Sequence, residues 1–442
     1  MSSIGIIGAG LAGCEAALAL ARRGIAITLY EMRPANMTPA HTTGLPAELV
    51  CSNSLKSTEL PGAQALLKEE LSLLSSPLLS CAKKCAIPAG KALAVDRKAF
   101  SAAVLSELRG ASGITLEMRE IAEPPQRHDA VIIATGPLSS EAIVSWLTAA
   151  VSRESLHFYD AIAPIVAAES VDLSKAFFGS RWRPSEKDYC NCPFTEEEYD
   201  AFLGAIATAE TAAKHPFEEE KYFEACLPLD IVAKRGRLAM AYGPLKPVGI
   251  DDPKTGKRPF AVCQLRREDA AGASFGLVAC QSRLRQGEQQ RIFRMIPGLE
   301  HAEFLRWGSC HRNTYVDSPE LLNPNLSLKK MPSIFLGGQL CGSEGYMESI
   351  ATGMLAALFA AAAVSGRSID LPPETTALGG LLRHVTGSTV RPFSPSSFHF
   401  GLLPPLEPAG RKARKQERHM RLCERSLTDI KKWLTDDMRE LR

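Results

Sequence analysis

The amino-acid sequence opens on a pattern that fixes the topology around it. Ile4 to Ile7 is an apolar run of strand length, and Gly8-Ala9-Gly10-Leu11-Ala12-Gly13 follows at once. Helical spacing of Leu11, Ala17, Leu18, Leu20 and Ala21 continues to Arg23, Gly24 ends it, and Ile25 to Tyr30 reads as a second strand. Glu31 stands at the end of that strand, 18 residues after Gly13. Strand, glycine turn, helix, strand and acid in this register define a dinucleotide-binding unit. Gly8 permits the tight turn, Gly10 lets the backbone approach a pyrophosphate, and Gly13 lets the helix pack on the strand. Ala9, Leu11 and Ala12 lie between them, where the helix N-terminus stabilises phosphate charge. Glu31 is the expected acceptor for ribose hydroxyls.

Two later segments decide which dinucleotide. Val131-Ile132-Ile133-Ala134-Thr135-Gly136-Pro137 is a hydrophobic strand ending in Ala-Thr-Gly, similar to the second signature of two-dinucleotide-type flavoproteins. Ile334-Phe335-Leu336-Gly337-Gly338-Gln339 is another strand ending in glycines, with Gly342, Gly345, Gly353 and a helix near 347–364 behind it. Together the three segments favour FAD and add Thr135, Gly136, Gly338 and Gln339 to the cofactor-site candidates. The fold class expected is α/β: a two-dinucleotide-type FAD-binding Rossmann domain with an inserted smaller α+β domain. Residues 1–149 form the first part of the FAD-binding domain. Residues 150–304, with shorter strands, many turns and an acidic helical segment over Thr195 to Lys214, form the insert on the substrate side. Residues 305–442 return to the FAD-binding domain and end in a basic C-terminal helix. Pro372 to Pro408, rich in Pro and Gly, reads as packed irregular structure.

A chain of 442 residues with 45% hydrophobic and 23% charged content is globular and has ample core. The longest apolar run, Met354 to Val364, is shorter than a membrane span. With strand character from the first residues, no secretory signal is expected. Twelve cysteines in so long a chain do not make a compact disulfide framework, so a reducing, cytoplasmic setting is expected. The net charge of +2 conceals two basic segments, Lys234 to Arg312 and Ala409 to Arg442, which a phosphate-rich partner would need.

Cys51 follows Glu31 by 20 residues, in Glu48-Leu49-Val50-Cys51-Ser52-Asn53-Ser54. A thiol this close to a dinucleotide site offers a covalent handle on a substrate beside a source of hydride. Read alone, it is equally a small buried side chain.

Longer strings carry a resemblance. Tyr30-Glu31-Met32-Arg33-Pro34, Thr38-Pro39-Ala40-His41 and Glu48 through Lys56 resemble the folate- and FAD-dependent tRNA uracil-5-methyltransferases. So do Val95-Asp96-Arg97, Gly243-Pro244-Leu245-Lys246-Pro247-Val248-Gly249 and Ala261-Val262-Cys263-Gln264-Leu265-Arg266. Phe293 through Leu299, His311-Arg312-Asn313-Thr314 and Phe400 through Leu406 extend the likeness over nearly the whole chain. The resemblance implies transfer of one carbon from 5,10-methylenetetrahydrofolate to C5 of the T-loop uridine of tRNA. It implies reduction of that carbon by reduced FAD, with NAD(P)H re-reducing the flavin, and 5-methyluridine as product. A branch of the family acts on ribosomal RNA, and the sequence does not separate the two.

The family's two functional cysteines map onto Cys51 and Cys226. Uracil C5 is a poor nucleophile until a thiolate adds at C6, and a base must later remove the C5 proton. Cys226, just before the basic stretch of the insert, is the expected RNA-side nucleophile, and Cys51 the flavin-side thiol; the reverse division is the alternative. Lys56, Arg266 and Arg267 are candidates to lower a thiol's pKa. His41 and His311 lie in family-like strings and are substrate-site candidates, or hydrogen-bonded loop histidines. Arg266, Arg283, Arg285 and Arg291 are candidates for RNA phosphates, or a solvated face. Cys81-x3-Cys85 and Cys190-x-Cys192 lack partners at suitable spacing, so no metal site is expected. Ser396, Ser397 and His399 depart from the family's usual residues, which puts folate or RNA contacts there in doubt.

Three other readings compete. The related wobble-uridine flavoprotein is longer and has a helical C-terminal domain. A flavin-bearing RNA-binding protein would not need both thiols. An NAD(P)H-dependent flavin oxidoreductase for small molecules leaves the basic segments unexplained.

Overall fold

A computed structural model describes residues 2–151, 156–183, 185–211, 227–406 and 414–436. Its centre is a six-stranded sheet in which the N-terminal unit takes the middle. β1 (Ser3–Ile7) runs parallel to β2 (Ala26–Tyr30) on one side and to Ala130–Ile133 on the other. Met331–Leu336 continues the parallel run beside Ala130–Ile133, Ile114–Glu117 closes the far edge beside β2, and the short Ser327–Leu328 turns back antiparallel. Ile4, Ile6, Ile132, Ile133, Phe335 and Leu336 are all buried, as a parallel sheet covered on both faces requires. Val131 pairs with Ile334, so two stretches of chain about 200 residues apart share one register and everything between them is an excursion.

α1 (Leu11–Ala21) and the helix Tyr346–Val364 pack against each other over this sheet. Their approach is close: a Cβ on Gly353 would lie 2.4 Å from the carbonyl oxygen of Ala12. The helix Tyr346–Val364 is longer than its apolar run and is apolar enough, by length and composition, to cross a membrane. Here 83% of its most apolar window is buried inside the protein, and it is apolar all round because it is a core helix.

The excursion forms a second, antiparallel six-stranded sheet. Its order is Phe177–Phe178, Tyr189–Phe194, Ala261–Arg267, Ser274–Leu277, Ile165–Ala167 and Phe304–Arg306. It has a core of its own around Phe194, Tyr199, Phe202 and Phe293. The acidic segment supplies the helix Glu196–Thr208, started by a reciprocal capping box between Thr195 and Glu198. A two-stranded ribbon, Leu156–Ile162 against Ser309–Tyr315, joins the two parts. A small sheet of Ser54–Ser57, Ala86–Ile87 and Ala92–Val95 lies in sequence between β2 and Ile114–Glu117 and carries the chain just after Cys51.

One expectation is corrected. The stretch 372–408 is not irregular throughout, because Ala377–Gly387 is an α-helix. Thr376 caps it, and the buried Glu70 carboxylate accepts from the N–H groups of Ala377 (2.7 Å) and Leu378 (2.9 Å). Its glycines serve close packing: a Cβ on Gly379 would lie 2.0 Å from the carbonyl oxygen of Pro373. The C-terminal helix is described over Lys415–Asp436 and lays Leu422, Cys423, Ile430 and Trp433 on the core.

Candidate active site

The glycine turn builds the first of two cavities. Gly8 has φ +100°, and a Cβ there would sit 2.6 Å from the carbonyl oxygen of Ala134. A Cβ on Gly13 would sit 1.9 Å from the carbonyl oxygen of Gly8, so only glycine lets the helix begin here. A Cβ on Gly10, by contrast, would meet nothing within 4 Å and would project into a cleft with about 1000 Å³ of empty space. Gly10 caps α1 with no side-chain hydrogen bond, and Gly345 does the same for Tyr346–Val364. Two helix N-termini with unspent N–H groups therefore meet at this cleft, which suits a pyrophosphate. Leu11, Ala12, Thr135, Gly136, Gly338 and Gln339 line it with Gly8, Gly10 and Glu31. Ala9 and Gly13 support it from behind: Ala9 donates its N–H to Glu31 Oε2 (2.9 Å).

Glu31 is more tightly held than a ribose acceptor alone would need. Arg33 donates to it from Nε (2.9 Å), Nη2 (3.1 Å) and the backbone N–H (3.0 Å). Burial pushes this carboxyl up, but Arg33 outweighs it and holds Glu31 below the usual range. Glu48 gathers the N–H and hydroxyl groups of Thr42 and Thr43 and also pairs with Arg33 (3.4 Å). The loop leading to Cys51 is thereby tied to the nucleotide cleft.

Cys51 lines a second cavity, about 1520 Å³ including its open mouth, at the junction with the insert. Val50, Pro137, Leu138, Gln339 and Tyr346 line both cavities, so the two adjoin. The Cys51 loop is held from three sides. The Tyr346 hydroxyl accepts from the N–H groups of Cys51 (2.8 Å) and Ser52 (3.1 Å). Arg97 donates to the carbonyls of Leu49 and Cys51, and Arg306 to those of Val50 and Cys51. Arg97 in turn pairs with the buried Glu268 at 2.6 Å. Burial alone would lower the Arg97 pKa, but Glu268 raises it above the ordinary value, while burial and the Arg97 charge lower that of Arg306. Arg266 lines the same cavity and donates from Nε to Asn53 Oδ1 (2.6 Å), and Asn53 donates to the carbonyl of Arg267 (2.8 Å). Insert and nucleotide domain are joined by polar contacts at the point where the thiol sits.

The remaining candidates fall in different places. His41 lines the nucleotide cleft, and burial with the nearby Arg33 charge pushes its pKa down to about 4. His311 lines the second cavity, bonds Ser309 Oγ (2.8 Å), and is also lowered by burial and by Arg306. Both shifts favour the neutral imidazole. Arg283 does not line either cavity: it is paired with the buried Asp230 at 2.7 Å inside the insert. Arg285 is exposed and pairs with Glu210 (2.8 Å), and Arg291 pairs with Glu288 on its own helix. Cys226 lies outside the described residues. The described chain resumes at Leu227, and Leu229 donates its N–H to the carbonyl of Gln281 (2.8 Å), a residue of the second cavity's wall. Ser396 exchanges backbone hydrogen bonds with the 342–344 turn, beside cavity residue Glu344.

Arg33, Glu48, Arg97, Glu268, Arg306 and Tyr346 were not singled out from sequence, although Arg33, Glu48 and Arg97 stand in family-like strings. Nothing in the local pattern of Glu268, Arg306 or Tyr346 points to Cys51.

A parallel sheet that the chain leaves and re-enters, with two uncapped helices aimed at one cleft, defines the two-dinucleotide-type FAD-binding class. The family described as glucose inhibited division protein A matches residues 3–368. A solved structure of GidA from Aquifex aeolicus superposes with TM-score 0.70 over 98% of this chain and 73% of its own, at 15% identity, a likeness of fold. Curated relatives named methylenetetrahydrofolate--tRNA-(uracil-5-)-methyltransferase TrmFO are far closer in sequence. That of Oleidesulfovibrio alaskensis is 49% identical over 98% of this chain and 97% of its own, and that of Moorella thermoacetica 50% identical over 96% of each. The chain belongs to this methyltransferase family.

Proposed function

We propose that this chain methylates C5 of a uridine in tRNA, the T-loop uridine, using 5,10-methylenetetrahydrofolate, bound FAD and NAD(P)H. The observation that carries the reading is the shared wall between the dinucleotide cleft and a second cavity at Cys51. One compartment suits a bound dinucleotide and the other a substrate, with the thiol between them. The turn at Gly8, Gly10 and Gly13, with the N-terminus of Tyr346–Val364, would hold the FAD pyrophosphate, and Glu31 the ribose. Bound and reduced, FAD would supply the two electrons that turn the transferred carbon into a methyl group.

This chain's own residues do the rest. A thiolate, assigned to Cys226, adds to uracil C6 and pushes the electron pair toward O4, so that C5 becomes nucleophilic. C5 then attacks the methylene carbon of the folate, and the carbon–nitrogen bonds to that carbon break to release tetrahydrofolate. The C5 proton leaves to a base, and the C6–S bond breaks to return the thiolate once two electrons have completed the methyl group. Arg97, Arg306 and Tyr346 fix the Cys51 loop by its backbone, which leaves the thiol free to act.

The test is an assay of the FAD-loaded protein with methylenetetrahydrofolate, NAD(P)H and unmodified tRNA or ribosomal RNA transcripts, read by nucleoside mass spectrometry. 5-Methyluridine in the tRNA T-loop is expected. The modification in ribosomal RNA alone would move the target, and no product in either, or product only with S-adenosylmethionine, would refute the reading. A Cys226→Ala enzyme that still formed a denaturation-resistant RNA adduct would reverse the roles of the two thiols.

A further inference from the structure

One surface feature of the insert lies outside both cavities. Trp182 is 68% exposed and has φ +65°, a conformation a bulky side chain keeps only when its surroundings impose it. The imposition is visible. Trp182 donates its N–H to the carbonyl of Gly249 (2.9 Å), and the indole lies so close over Gly249 that a Cβ there would come within 2.7 Å of Cε2. Arg181 pins the other strand of this contact, donating from Nη1 to the carbonyl of Val248 (2.7 Å) and from Nε to Gln264 Oε1 (2.9 Å). One face of the ring is thus seated on backbone and the rest is presented to solvent.

The chain on either side of the contact carries charge of both signs: Arg183, Lys187 and Lys246 are exposed, and Glu186 and Asp188 are partly so. Among the described residues, Arg183 pairs at the surface with Glu186 (3.1 Å) and Glu59 (3.4 Å), pairs that cost little to exchange for a phosphate. Val248, next to Gly249 in the chain, is 42% exposed. A stable protein interface buries on the order of 800 Å² a side, whereas a single seated ring next in sequence to an arginine with exchangeable surface partners matches a nucleotide base with its phosphate. The feature also adjoins the substrate cavity: Gln264 and Arg266 share one face of the strand Ala261–Arg267, and Arg266 lines the cavity.

We propose that Trp182 is a stacking platform for an unpaired base of the RNA whose uridine enters the second cavity. The proposal rests on the RNA reading above. Its test uses the full-length, FAD-loaded protein as wild type, Trp182→Ala and Trp182→Phe, with tRNA titrated in binding and methylation assays. Trp182→Ala is expected to weaken RNA binding about tenfold, the size of one lost base–aromatic stack, with the change in KM rather than kcat. Trp182→Phe is expected to recover most of it, and RNA-induced quenching of tryptophan fluorescence is expected to shrink in that variant. Flavin content and thermal midpoint report whether the fold is kept. Wild type that methylates RNA while Trp182→Ala binds it equally well would overturn the platform alone. Wild type that binds no RNA would overturn the RNA reading with it. Self-association of wild type, lost in Trp182→Ala with RNA binding unchanged, would assign the ring to a protein interface and overturn the proposal.

Discussion

The phosphate end of the nucleotide cleft is built from backbone, through Gly8, Gly10, Gly338 and two uncapped helix N-termini, while side chains such as Glu31 and His41 line other parts of it. The second cavity is lined by long side chains, with Arg97, Arg266, Glu268 and Arg306 drawn from distant parts of the chain. A backbone-built site tolerates change in most side chains but not at its glycines. A site built on charge pairs depends on each partner, since a buried charge left alone is costly.

The largest effect expected is on chemistry without loss of the cleft. Cys51→Ala should cut methylation roughly 10²- to 10⁴-fold while the purified protein keeps its flavin absorbance. Loss of flavin together with activity would make Cys51 part of the cofactor site and blur the division between the cavities. Gly13→Val should do the reverse. With 1.9 Å between the new Cβ and the Gly8 carbonyl, α1 must shift. The protein should purify without flavin and lose about 1–3 kcal/mol of stability, read by absorbance and urea unfolding.

Arg97→Met should cost up to about 3–5 kcal/mol because the buried Glu268 loses its 2.6 Å partner and is left with Arg266 at 4.0 Å. Adding Glu268→Leu should return most of that stability in urea unfolding but not the methylation rate, since the carbonyl of Leu49 loses its Arg97 clamp and that of Cys51 loses one of its two arginine donors. Recovery of both would reduce Arg97 to a structural residue.

Glu15 gives a pH-dependent test within the nucleotide domain. It lies in α1, accepts from the N–H of Leu78 (3.0 Å), and burial pushes it from about 4.5 up to about 7. The folded state keeps a proton that the unfolded state has released. The stabilisation is therefore complete below pH about 4.5 and lost as pH rises through about 7. Of the wild-type loss across that window, Glu15 should account for up to about 3 kcal/mol, a share that Glu15→Gln lacks while the similarly raised Glu70 keeps its own. Equal slopes in urea unfolding between pH 4.5 and 8 would refute it. The smallest effect is expected at Arg285→Ala: stability changes by less than about 1 kcal/mol. If Arg285 meets an RNA phosphate, the salt dependence of RNA binding falls by about one counterion. An unchanged slope returns it to its surface pair with Glu210.

How much of this was legible follows the same division. The strand, glycine turn, helix and acid from Ile4 to Glu31 are contiguous, and each residue type answers a local demand, so the pattern could be read directly. The returning strands could be read for the same reason. The helix Ala377–Gly387 could not, because its caps include Glu70 from another helix and its glycines answer a contact with Pro373 and Leu403. Arg283 read as a phosphate contact, yet Asp230 draws it inward.

By itself, then, the sequence determined the dinucleotide fold, the two returns of the chain to its sheet, and, through long family-like strings, the chemistry to expect. Those features depend on local conformation and on the order of segments. Only the tertiary structure decided that Arg97 and Arg306 clamp the Cys51 loop, that Tyr346 stands between the two cavities, and that Trp182 faces outward over Gly249. Each depends on which distant side chains meet, and on burial making an unmet charge or N–H costly, neither of which is encoded in local spacing.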